Sequence, residues 1–168
     1  VLEARDVFQV LEQLPERPLA LESKALRLAG KLLTLCYSDM KGKNNIDGEE
    51  VAKEILTSGK ALTKMREIIK AQGGHPDVTS SKLLPAKEKY EIKAAKKGMI
   101  SSMNNREISV ICKVLGCPID KRAGMFLNRK LEEKVDKGDI LATLYSSDKY
   151  QLKEAIETLK VMPVYSVE

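Results

Sequence analysis

Histidine occurs once in these 168 residues, cysteine three times, phenylalanine twice and tryptophan not at all. Each scarcity removes a class of chemistry. A single imidazole, His75, leaves too few soft ligands for a closed zinc site, and it stands near no candidate nucleophilic serine. Cys36, Cys112 and Cys117 are odd in number and form no CxxC pair, so neither a disulfide framework nor a four-cysteine metal site is indicated, and buried thiols are expected. No GxGxxG or GxxxxGK is present, and no apolar run approaches the ~20 residues that a membrane helix requires. The first residues do not read as a basic-then-apolar leader. A soluble, cytoplasmic chain with no membrane partner is the expectation.

What remains is ordinary for a globular protein: 43% of residues are apolar and 32% charged, enough for one domain or two small ones. The formal charge of +5 is unevenly shared. Residues 1–78 hold 12 basic and 12 acidic side chains, whereas residues 79–168 hold 17 and 12. The densest part is Lys82 to Lys97, with six lysines against Glu88 and Glu91. Such a run can attract a polyanion. It contains one tyrosine and no arginine, however, whereas a nucleic-acid surface interleaves arginines and aromatics. A solvated strand and linker is the preferred reading, with no nucleic-acid partner.

The first half reads as helices. Residues 2 to 14 place Leu2, Val7, Val10, Leu11 and Leu14 on an inner face and end at Pro15-Glu16-Arg17-Pro18. Residues 19 to 37 carry Leu21, Ala25, Leu28, Leu32 and Leu35 on one face, widened by Leu26, Ala29 and Leu33, which predicts cover on more than one side. Gly30 costs that helix about 1 kcal/mol in propensity relative to alanine and so points to the close approach of a neighbour. Met40 to Ile46 reads as an exposed loop. Lys41-Gly42-Lys43 within it does not feed a Lys-Ser or Lys-Thr pair into a helix, so it lacks the form of a phosphate loop. Asp47 predicts an N-cap, with Glu50 placed to complete a capping box. Thr57-Ser58-Gly59 ends that helix, and Leu62, Met65, Ile68 and Ile69 form the stripe of the next, stopped by Gly73-Gly74-His75-Pro76. His75 is expected to be structural or solvent-facing.

From about Pro85 the periodicity changes. Tyr90, Ile92 and Ala94 alternate with charged residues, Met99 to Met103 is a second strand, and Asn104 or Asn105 caps a helix ending at Gly116-Cys117-Pro118. Met125 to Leu127 and Ile140 to Tyr145 are strands, with a turn at Val135-Asp136-Lys137-Gly138-Asp139 whose glycine is placed for positive φ. Asp148 caps a last helix, and Val164 to Val167 closes the chain as a strand. The fold class is α+β: a helical segment over residues 1–78, then a small α+β domain of mixed strands with two helices over residues 85–168.

The phrases SGKALTKMREIIKAQGG, LEARDVFQVLEQL, GMISSMNNREI, AGMFLNRKL and VDKGDILATLYSSD resemble the thymidine and pyrimidine-nucleoside phosphorylase family, in its archaeal AMP-phosphorylase branch. The resemblance covers nearly the whole chain and implies a C-terminal portion, its helices closing the central α/β domain of the parent and its α+β domain appended to it. It further implies an enzyme, a pentosyltransferase, that uses inorganic phosphate as co-substrate to split AMP or a pyrimidine nucleoside. Partners would be the rest of the parent chain, the nucleotide or nucleoside substrate, and further copies in a homo-oligomer. The family's phosphate and base ligands lie upstream, so no catalytic or cofactor-binding residue carries over, no cofactor is expected in this chain, and the segment alone is expected to be inactive. In some members the second acidic residue of the first helix helps bind a structural potassium ion, which places Asp6 at a metal position by resemblance. Read from the residues alone, Asp6 is an acid favoured near a helix N-terminus.

A different class remains as an alternative. VDKGDILATLYSSDK is also similar to the strand-turn-strand of lipoyl and biotinyl carrier domains, in which Lys149 would be the acylated lysine. Against this, Tyr150 to Leu159 is amphipathic at helical spacing and places Lys149 in a helix's first turn.

Overall fold

In the computed structural model, which describes residues 1–38 and 46–168, the chain divides into two units: Glu3–Leu83, and Leu84–Glu168 together with Val1 and Leu2. The Met40 to Ile46 reading falls almost wholly outside the described residues.

The first unit is helical. Helix α1 (Leu2–Leu11) buries Phe8 and Val10, so its inner face is centred on an aromatic that the leucine-and-valine stripe passed over. A corner follows in which Gln13 takes φ 54°. Glu22, in the first turn of α2 (Leu19–Ser38), receives Arg17 Nε and, at 3.0 Å, Gln13 Nε2, while Arg17 Nη1 donates to Leu14 O at 3.1 Å. The side chain of one acid thus ties down an irregular corner. The Arg17 guanidinium beside it holds the Glu22 carboxyl below its ordinary range.

Asp47 caps α3 (Gly48–Thr57), its Oδ1 accepting from the amides of Glu49 at 2.9 Å and Glu50 at 3.3 Å. The half of the capping box contributed by Asp47 is therefore formed. Gly59, at φ 78°, starts α4 (Lys60–Ala71). Helices α2 and α3 cross in backbone contact. A Cβ on Gly30 would stand 2.6 Å from Glu49 Cα, and one on Gly48 would stand 2.1 Å from Gly30 O. Gly48 N also donates to Thr34 Oγ1 at 3.2 Å. Gly30 is the only residue of α2 that is fully buried, so the glycine marks a crossing, as its propensity cost suggested.

The leucine face of α2 is the main departure. Leu28, Leu32 and Leu35 are 59%, 63% and 66% exposed, where the sequence pattern predicts cover on more than one side. Amphipathic periodicity records that a face is selected for burial, without recording whether the covering element lies within these residues.

After α4 the chain turns through a 3-10 segment (Ser80–Lys82). The polar connector is tied down there: Ser80 is buried, its Oγ bonded to Glu12 Oε2 and its amide donating to Glu12 Oε1 at 3.2 Å.

The second unit is built on two antiparallel three-stranded sheets. In one, β5 (Ile140–Ser146) is the central strand between β1 (Glu88–Lys93) and β3 (Gly124–Leu127). In the other, β2 (Gly98–Met103) lies between β4 (Lys134–Val135) and β6 (Tyr165–Val167). Helices α5 (Asn105–Val114) and α6 (Lys149–Val161) begin at side-chain caps, Asn104 and Asp148. They pack on the first sheet: Ile111, Leu115, Leu144, Leu152, Ala155 and Val164 share one core. Ile100, Val135, Leu141 and Ala94 form the second core. Strand alternation explains the division, because Leu144 and Leu141 lie three positions apart and so belong to opposite faces of β5. Ser146 is fully buried yet satisfied, donating to Leu115 O at 2.9 Å and accepting from Asp148 N at 3.2 Å.

The turn at Asp136–Asp139 has its glycine at φ 95°, as its composition predicts. It passes between the two sheets instead of closing a hairpin. Its amides bond outward as well as within: Gly138 N donates to Ala94 O and Ala94 N to Asp139 O, both at 2.9 Å, and Asp139 N donates to Asp136 O at 3.1 Å. Val135 is 3% exposed, whereas Ile140 is only half-buried.

Candidate functional site

The residues singled out by sequence do not converge. Asp6 sits half-buried on α1 and Glu3 is exposed. Among the described residues no three His, Cys, Asp or Glu side chains come together as a metal site. His75 is exposed, as expected. Cys112 and Cys117 are half-buried, and Cys117 Sγ donates to Ala123 O at 3.2 Å. Cys36 is exposed, contrary to the expectation of buried thiols, because it lies on the helix whose leucine face is uncovered.

Lys149 is the first residue of α6, directly behind its cap: Asp148 Oδ1 accepts from Tyr150 N at 2.6 Å and from Gln151 N at 3.2 Å. The chain runs from β5 into a helix, with no hairpin to present a carrier lysine. The carrier-domain reading has no support here.

The lysine-rich run begins in the 3-10 segment at Lys82 and continues through β1 into the turn after it. Lys89 and Lys93 flank Glu91 at 3.6 and 3.5 Å on an exposed edge strand, the charged edge that discourages strand-to-strand aggregation. Lys97 reaches Asp136 at 3.0 Å.

Three features went unread in the sequence. The first is an apolar groove of about 290 Å3 in the helical unit, lined by Val7, Leu11, Leu26, Leu33, Ile55 and Leu56 among others. The second is the Tyr165 hydroxyl, which lies 3.1 Å from Arg129 O and 3.0 Å from Leu141 O; burial pushes its pKa up to about 12. The third is Asp120, held below the usual carboxylate range by the Ser147 hydroxyl and the Arg122 amide. The first two arise from long-range contacts that no local spacing encodes, whereas Asp120 also accepts from the Arg122 amide two residues on at 2.8 Å, a local turn contact. As a set these side chains hold structure; they offer no nucleophile, base and anion cradle in one place.

Residues 99–165 match the pyrimidine nucleoside phosphorylase C-terminal domain, and the chain belongs to the thymidine and pyrimidine-nucleoside phosphorylase family as a C-terminal portion of its members. Its likeness to particular members runs to the AMP phosphorylases. It is 38% identical over 167 residues to the AMP phosphorylase of Methanocaldococcus jannaschii, which covers 99% of this chain and 32% of that protein. To the AMP phosphorylase of Thermofilum pendens it is 43% identical over 158 residues, covering 94% of this chain and 29% of the relative. To that of Pyrococcus furiosus it is 36% identical over 167 residues, covering 99% and 32%. The chain thus spans about a third of the length of the curated relatives it matches.

Proposed function

We propose that this chain serves within an AMP phosphorylase, in which a phosphate oxygen attacks C1′ of AMP, the glycosidic bond breaks, and free base and ribose 1,5-bisphosphate leave. The observation that supports this reading is the match across 99% of the chain to an AMP phosphorylase. In this reading the catalytic ligands belong to the remainder of the parent chain. The present residues supply support: the uncovered leucine face of α2 packs on the parent's central domain, and the α+β unit stabilises the fold and its assembly into a homo-oligomer in the cytoplasm. An uncovered apolar face on this scale seeks a partner. Inorganic phosphate is the co-substrate, no other cofactor is drawn from this chain, and Asp6 contributes one oxygen ligand to a structural potassium ion.

The test is adenine release from AMP and phosphate, with uridine and thymidine as competing substrates. The 168-residue chain alone should remain at blank. The same chain expressed with its upstream sequence should turn over AMP in preference to either nucleoside. Turnover by the chain alone, abolished by a single substitution within it, would overturn the assignment. Preference for uridine or thymidine would move it to the pyrimidine-nucleoside branch.

A further inference from the structure

A second groove, of about 330 Å3, opens in the Leu84–Glu168 unit where residues of its two cores meet. Its lining includes Ile92, Leu141, Leu159, Val164 and Val167. Leu141 and Val164 are each 3% exposed, so this floor is fixed by core packing. Tyr165 is a wall of the groove, held in place because its hydroxyl is committed to the carbonyls of Arg129 and Leu141. The rim is cationic. Lys93 and Lys96 both line it; Lys93 is shared with Glu91 at 3.5 Å, whereas Lys96 has no acidic partner among the described residues.

We propose that this groove is a binding site for a small amphipathic anion, an apolar body bearing one anionic group. Three features point to that class. The volume lies at the lower end of the range of about 300–1,000 Å3 typical of small-molecule sites. The floor is aliphatic and contributes through burial of apolar area. Lys93 and Lys96 are exposed, so they can receive a charged group that stays partly hydrated while the apolar body is desolvated. The site is independent of the phosphorolysis reading, which places its substrate on other residues.

The probe is 1-naphthyl phosphate, titrated into the isotopically labelled whole chain and followed by amide chemical shifts. The expected result is a saturable shift at Ile92, Leu141 and Val164. Reversing both charges, Lys93→Glu with Lys96→Glu, should weaken this binding by about tenfold or more, since both charge-assisted contacts are lost. Binding of 1-naphthol, which lacks the charge, should change little between the two proteins. Inorganic phosphate alone should leave these amides unmoved. The proposal fails if the shifts appear only around Val10, Leu26 and Leu56 in the helical groove, if phosphate alone saturates the site, or if charge reversal leaves the affinity unchanged. Should the double variant not fold, Lys96→Gln and a salt titration of the unmodified chain give the same decision: affinity independent of both overturns the site.

Discussion

Replacing Gly138 separates backbone geometry from side-chain chemistry, because the two leave different marks at this position. Gly138 has φ 95°, a region glycine enters freely and other residues enter with strain. A Cβ built there meets nothing within 4 Å, so substitution carries no clash. The whole cost is therefore torsional, on the order of 1–3 kcal/mol for a residue forced into a sparsely populated backbone region. Relaxing to negative φ offers no escape. It would pull apart the 2.9 Å bond from Gly138 N to Ala94 O and the neighbouring bond from Ala94 N to Asp139 O, at about 0.5–1.5 kcal/mol each. Gly138→Ala should fall at the low end of the torsional range and Gly138→Val, being β-branched, at the high end. Lys137 is exposed, and Lys137→Ala should change stability by no more than about 0.5 kcal/mol. Urea melts followed by tyrosine fluorescence report this unit preferentially, since four of the five tyrosines, Tyr90, Tyr145, Tyr150 and Tyr165, lie in it. A larger loss from Lys137→Ala than from Gly138→Val would refute the turn geometry and point to a binding role for the lysine.

Tyr165→Phe should cost about 1 kcal/mol, because Arg129 O loses its donor while Leu141 O still accepts from the amides of Asn128 and Arg129. Because the folded state raises this phenol above its ordinary 10 to about 12, its contribution is complete below pH 10 and is lost as pH rises towards 12. Denaturation at pH 9 and 11.5 should therefore show a stability drop in the unmodified chain that the phenylalanine variant lacks; equal drops would count against it. Gly30→Ala should destabilise the helical unit by about 1–3 kcal/mol, the usual cost of overpacking, because Glu49 Cα lies 2.6 Å from the new carbon; thermal melts by circular dichroism measure it, and a neutral result would mean that α2 and α3 do not cross so closely. Hydrogen exchange on the whole chain should show weaker protection in Glu3–Leu83 than in Leu84–Glu168, since no residue of α4 is buried and α2 buries only Gly30; the reverse order would remove the need for a covering partner.

Local chemistry was the legible part of this chain. Asp47, Asn104 and Asp148 announce helices because a cap bonds its own first turn, and Gly59 and Gly138 announce reversals because their φ values suit glycine. What stayed hidden depends on residues far apart in sequence. Glu12 clamps Ser80 across 68 positions, and no pattern around either residue shows it. The two-residue strand β4 is too short to leave a periodicity. The turn at Gly138 was readable as a turn, but not as a passage between sheets, since that follows from the order β1-β5-β3 and β4-β2-β6. For the site, the two grooves escaped notice because concavity is a property of packing.

The strand order also governs how this domain comes into being during translation. The central strand of the second sheet, β2, pairs Ile100 with Val167, 67 positions later (167 − 100), and Glu88 of β1 waits 58 positions (146 − 88) for Ser146. At a synthesis rate of 5–20 residues per second, β2 leaves the ribosome roughly 3–13 s before β6 exists. Throughout that interval Ile100, fully enclosed in the finished fold, has no partner on one side. Non-local pairing of this kind also sets a slow intrinsic rate, in the range of milliseconds to seconds for sheet-dominated topologies. Nascent chains of this protein should therefore be clients of factors that shield unpaired strands, and slowing elongation between β2 and β6 should lower the soluble yield without altering the stability of what folds.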